Sequence, residues 1–91
     1  MISVEASERF RDCIRKQGLD RDRVFAAMQA TAGVWGRPHE HTGAGLRGLQ
    51  KGHYEARAGL YVRLIFRPER DRLIFVFAGD HEQVKRYLRG V

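Results

Sequence analysis

The chain has 91 residues, 43% hydrophobic and 10% aromatic, with 17 basic against 11 acidic side chains and a formal net charge of +6. This length and composition fit one domain with a modest core and exclude a disordered tail. No apolar run approaches the roughly 18 residues of a membrane span, no signal-like stretch follows Met1, and Cys13 has no second cysteine to pair with, so a cytoplasmic protein with one buried thiol is expected.

Apart from Lys16, Lys51 and Lys85, every basic residue is arginine. The planar guanidinium fork suits two-point contact with phosphate and stacking on bases. A basic domain of this size points to a polyanionic partner, nucleic acid first. Plain solubility is the alternative reading of the same charge.

In chain order, Met1–Val4 reads as a short strand, and Ser3 as the cap of a helix running to about Gln17. Its apolar face is Ala6, Phe10, Cys13 and Ile14, and Gly18 ends it. Asp20 caps a second helix with Val24, Phe25, Met28 and Ala32 inward, so the two form an antiparallel hairpin. Residues 33–52 carry recurrent glycines and no persistent period and read as a loop anchored by Leu46 and Leu49, with Trp35 packing over the sheet. Three strands follow in HYEARA, LYVRLIFR and RLIFVFAG, turning at Gly59 and at Pro68–Asp71. The last strand is nearly all apolar, which places it inside the sheet. Asp80 then caps a short helix with Val84, Tyr87 and Leu88 on one face. The fold class is α+β: a helix hairpin on a small antiparallel sheet, made of the short N-terminal strand and a three-stranded meander, with a C-terminal helix.

The segment from Leu46 to Leu88 resembles the RelE/ParE superfamily of toxins from type II toxin–antitoxin modules. The resemblance rests on Leu46, Leu49, Gly52, Tyr54, Arg57, Gly59 and Arg63, then Gly79 and His81, in that order and spacing. It implies a single toxin domain over residues 1–91, with a RelE-like fold and a cognate antitoxin as partner in a hetero-oligomer. Gly79-Asp80-His81 at the end of the last strand is most similar to the YafQ- and HigB-like branch, ribosome-dependent nucleases that cut mRNA in the A site. The ParE branch instead inhibits DNA gyrase by binding. Departures from the family pattern fall at Arg57, where some nuclease members have a second histidine, and at Glu55, where many have arginine.

Metal-free RNA cleavage uses the substrate's 2′-hydroxyl as nucleophile. It needs a base, an acid for the leaving 5′-oxygen, and cations over the pentavalent phosphorus. Histidine suits either proton role and arginine the charge role. Strand alternation puts His53, Glu55 and Arg57 on one face of the first meander strand, and Tyr61, Arg63, Ile65 and Arg67 on one face of the second. A three-residue turn centred on Gly59 would set Glu55 opposite Arg63 and Arg57 opposite Tyr61. The expected site is therefore an open polar sheet face with His81 at its rim. His81 is the acid, Glu55 or His53 the base, and Arg57 and Arg63 hold the scissile phosphate. Lys51, Arg67, Tyr61, Tyr87 and Arg86 contact RNA.

Plainer readings stand beside these. Glu55–Arg63 fits a structural cross-strand ion pair, His81 the first residue of a capped helix, and Tyr87 a core position. His39 and His41 lack the further ligands of a tetrahedral zinc set, so neither metal nor cofactor is expected. The glycines lack the Gly-Lys-Ser/Thr of a phosphate-binding loop. The competing functions are an mRNA-cleaving enzyme, a gyrase-blocking binder and a basic nucleic-acid-binding module without toxicity.

Overall fold

The structure is a computed structural model. It describes residues 2–41 and 45–91, with residues 38 and 39 in backbone only. Strand β1 (Ser3–Ala6) leads into helices α1 (Glu8–Gln17), α2 (Arg21–Val34) and the short α3 (Pro38–His41). Strands β2 (Arg47–Gly48), β3 (Tyr54–Arg57), β4 (Arg63–Glu69) and β5 (Arg72–Gly79) follow, and helix α4 (His81–Arg89) completes the order. The sheet is five-stranded and mixed, in the order β1-β5-β4-β3-β2. The α+β class is as expected, with two corrections: β1 runs parallel to β5, and β2 adds a strand within the stretch read as a loop. Among the described residues no helix is long and apolar enough to cross a membrane.

The first strand and helix both begin later than the sequence implied. Ser3 to Ala6 are extended because they pair with Arg72 to Phe75 of β5. Ala6, expected on the helix face, therefore belongs to the strand. The α1 cap is Ser7 instead of Ser3, its hydroxyl accepting from Phe10 N at 3.1 Å. Met1 lies outside the described residues. Arg72 secures this corner by donating to Glu5 Oε2 at 2.9 Å and Glu69 Oε1 at 2.8 Å. The hydrogen bond to Glu5, and then its charge, raise the Arg72 pKa.

Helix α1 ends at Gly18, whose φ of 63° is the left-handed turn of a helix C-terminus. Asp20 caps α2 as expected, accepting from Arg23 N at 3.1 Å. Val24, Met28 and Thr31 are buried at helical spacing. Phe25, expected inward, is 58% exposed, because it lies about 100° round the helix from Val24. Trp35 closes α2 and sets its ring edge-on to Tyr54 at 4.9 Å and Phe66 at 5.6 Å.

The β2–β3 hairpin turns through Lys51 and Gly52, both with positive φ, and His53 N donates to Gln50 O at 3.1 Å. That is the twist a tight hairpin needs. Pro68 and Glu69, expected in the next turn, sit in β4; the chain reverses at Arg70 and Asp71, between paired Glu69 and Arg72. The core joins Phe10, Cys13, Val24 and Met28 of the helices to Leu64, Phe66, Leu73 and Phe75 of the sheet. Phe75 lies 5.6 Å from Phe10 and 5.1 Å from Phe66, ring to ring. Fully burying each such side chain contributes about 1.5–3 kcal/mol.

Candidate functional site

The strand registers fix which side chains share the second face of the sheet. Arg57, Arg63 and Gly79 form one row across β3, β4 and β5. Arg47, Glu55, Ile65 and Phe77 form the next. A register shift between Ile65 and Phe66 realigns β4 on β5 just below these rows. Tyr54, Ala56, Leu64 and Phe66 point the other way, into the core.

The second face is not the open polar surface that alternation implied. Helix α4 packs over β5 and β4 on this side, with Tyr87 stacked on Phe77 at 4.5 Å. Glu55 is 2% exposed and His53 7%. Glu55 Oε2 accepts from Arg63 Nη1 at 2.9 Å and lies 3.8 Å from Arg47 Nη2. Its Oε1 has no hydrogen-bond partner among the described residues.

The turn from β3 to β4 is centred on Leu60, one residue later than implied. Ala58 N donates to Val62 O at 2.9 Å, and Gly59 has a φ of 94°. Arg57 therefore stands opposite Arg63 instead of Tyr61, and Glu55 opposite Ile65 instead of Arg63. Two directly opposed arginines repel. Glu55, one row away and hydrogen-bonded to Arg63, offsets that repulsion.

This turn carries Leu60 and Tyr61 beyond the sheet, 80% and 78% exposed. They wall a hollow of about 260 Å³ with Arg63, Asp80, His81 and Glu82. Gly79 sits opposite Arg63 and leaves no side chain there. A Cβ on Gly79 would come within 2.7 Å of Gln83 Oε1. That oxygen accepts from Asp80 N at 2.8 Å while Asp80 Oδ1 accepts from Gln83 N at 2.8 Å, a reciprocal capping box. The cap fixes the backbone from which His81 projects, exposed, as the first residue of α4. The hollow thus gathers a guanidinium, an imidazole and a phenol, with two carboxylates at its edge.

The other expected residues are placed elsewhere. His53 Nδ1 lies 3.2 Å from Gln50 O and 3.1 Å from Lys51 O, and its ring meets the edge of Tyr87 at 6.3 Å. Lys51 is exposed at the hairpin tip and donates to Val91 O. Arg57 lies along Gly45 and lines a hollow of about 300 Å³ with Leu46, Arg47 and Glu55. Arg67 is exposed on β4, and Arg86 is exposed on α4. Tyr87 is half-buried against Phe77. His41 stacks on Trp35 at 5.5 Å, and the side chain of His39 lies outside the described residues. Among the described residues no three or more His, Cys, Asp or Glu side chains are grouped so that they could hold a metal ion.

Two residues that sequence reasoning passed over belong to this region. Arg47 reaches Glu55 because β2 pairs with β3, in a stretch with no strand period. Arg9 of α1 holds its guanidinium 4.8 Å from the Tyr87 ring and 5.6 Å from Phe77. Its position four residues before Cys13 gave the helix face but not what lay beside it.

No protein-family model matches the chain, and no curated protein matches it. Solved structures do. A copper-bound mutant toxin from Helicobacter pylori is similar with a TM-score of 0.71 and 17% identity, over 92% of this chain and 99% of that one. YafQ in the DinJ–YafQ complex of E. coli gives 0.67 and 20%, over 92% and 98%. The YoeB–YefM complex from Staphylococcus aureus gives 0.60 and 12%, over 89% and 98%. The chain therefore has the RelE-like toxin fold that the resemblance implied.

Proposed function

We propose that this chain is the toxin of a toxin–antitoxin pair and cuts mRNA on the ribosome without a metal ion. The carrying observation is the hollow in which Arg63, held by Glu55, lies beside His81 and Tyr61. The DinJ–YafQ and YoeB–YefM complexes, which share the fold, support an antitoxin partner. The excess of 17 basic over 11 acidic residues favours an acidic segment on that antitoxin and RNA as substrate.

In this reading the 2′-hydroxyl attacks phosphorus, and the departing 5′-oxygen takes a proton from His81. Arg63 offsets the charge gathered on the phosphate oxygens, and Arg57, its cross-strand neighbour in the adjoining hollow, adds to the positive field. Tyr61 offers an exposed ring to a base. Lys51 and Arg67 meet the backbone at longer range. Glu55 and His53 are buried and engaged, so we assign them to positioning: Glu55 holds Arg63, and His53 holds the β2–β3 turn. The 2′-hydroxyl proton leaves through water at the mouth of the hollow.

Induced expression in a bacterium tests this. Growth arrest is expected, with codon-phased mRNA 5′ ends. His81→Ala and Arg63→Ala should each relieve the arrest and the cuts at unchanged protein level. Full toxicity in both variants would sink the nuclease reading. Intact mRNA with altered plasmid supercoiling would point to gyrase instead.

A further inference from the structure

Strand β1 covers only part of β5. Their pairing stops at Ala6 and Phe75, and Ser7 N still donates to Phe75 O at 2.9 Å. Beyond that point α1 runs beside β5, and Gln17 Nε2 donates to Ala78 O at 2.9 Å. Helix α4 folds back over the same end of β5. A cleft of about 480 Å³ remains between the two helices, with Phe77 lining it.

The cleft is cationic. Arg9 and Lys16 line it from α1, two helical turns apart, and Arg86 faces them from α4. Its one acid, Asp12, is already bound to Arg15 at 2.7 Å. Among the described residues Lys16 and Arg86 have no ion pair or side-chain hydrogen bond, and Arg9 rests on the rings of Tyr87 and Phe77. Three cations around one concavity repel each other unless an anion enters. The cleft adjoins the candidate site through α4 itself: His81 and Glu82 line the hollow, while Gln83, Arg86 and Tyr87 line the cleft.

We propose that this cleft is a second RNA-binding site, which holds the phosphodiester backbone a few nucleotides from the hollow. The choice of RNA rests on the nuclease reading; the demand for an extended anion rests on the cleft alone. Arginine and lysine lining a groove floored by aromatic rings is the pattern that tracks a single strand. A strand passing over the N-terminus of α4 meets Arg63 and His81 on one side and Lys16 and Arg86 on the other.

The test is fluorescence anisotropy with a labelled single-stranded RNA of about 12 nucleotides, on the His81→Ala protein so that the probe stays whole. Adding Lys16→Ala and Arg86→Ala should weaken binding about tenfold at low salt and reduce the log–log salt slope by roughly 1.4, about 0.7 for each lost phosphate contact. Adding Lys85→Ala and Arg89→Ala instead, outside the cleft, should move the slope less. An unchanged slope and affinity in the Lys16/Arg86 variant would overturn the proposal. So would no binding by the parent, or tighter binding of a poly-glutamate peptide than of the RNA. A changed slope with intact cellular mRNA would leave the cleft standing and remove the nuclease reading; cut mRNA with an unchanged slope would do the reverse.

Discussion

Arg63 donates to Glu55 across the β3–β4 pair on the diagonal, at 2.9 Å, while the residue directly opposite Arg63 is another arginine. The ion pair therefore restrains Arg63 on a face it shares with a like charge. The Glu55 side chain is 3% exposed and that of Arg63 18%, so solvent screens this pair only weakly.

Removing one partner is expected to cost more than removing both. Glu55→Ala should lose about 3 kcal/mol of stability, because it leaves the largely buried Arg63, beside Arg57, without its anion. Glu55→Leu with Arg63→Met should lie within about 1 kcal/mol of the parent, since an apolar pair needs no counterion. Urea denaturation of the two variants checks the ordering.

Gly79 carries the second prediction. An alanine there must push Gln83 aside, because its Cβ would come within 2.7 Å of Oε1. Gly79→Ala should cost about 1 kcal/mol through the lost capping contact. The loss should shrink when Gln83 is already alanine. A double-mutant cycle by thermal denaturation reads that coupling.

The two phenylalanines of the helix hairpin should behave oppositely. Phe10 is 1% exposed and packs on Phe75, so Phe10→Ala should cost about 3–5 kcal/mol. Phe25→Ser, at a 58% exposed position, should stay within about 0.5 kcal/mol of the parent. Guanidinium denaturation of both variants gives the comparison.

Tyr61 separates stability from function. At 78% exposure, Tyr61→Ala should leave the denaturation midpoint nearly unchanged. On the nuclease reading it should still relieve growth arrest and reduce the mapped mRNA cuts. Unchanged cutting would remove Tyr61 from the site.

Local signals carried the sequence reading well. Gly18, Asp20 and Asp80 mark helix ends by their own chemistry, and each does so in the structure. Alternation also sorted Tyr54 and Ala56 from Glu55 correctly. The errors have a non-local cause. Ser3 extends because of a partner strand far along the chain, so its own sequence cannot show that Ser7 is the cap. Glu55 and His53 were placed on the right face, but their burial comes from elements that alternation does not show: Tyr87 of α4 lies against His53, and β2 pairs beside Glu55. The Arg57–Arg63 pairing hung on where one turn is centred, and Gly59 marks the turn without marking its centre, which is Leu60.

The parallel pairing of Ser3–Ala6 with Arg72–Phe75 also sets an order of events during synthesis. Chains emerge from the ribosome N-terminus first, so β1 has nothing to pair with until β5 has been made. Arg63 gains its neighbour Gly79, and His81 its helix, only at that late stage. Such distant pairings also fold slowly. A half-made chain therefore carries no assembled hollow and no cationic cleft, and both surfaces are complete only after nearly all of these residues have been translated.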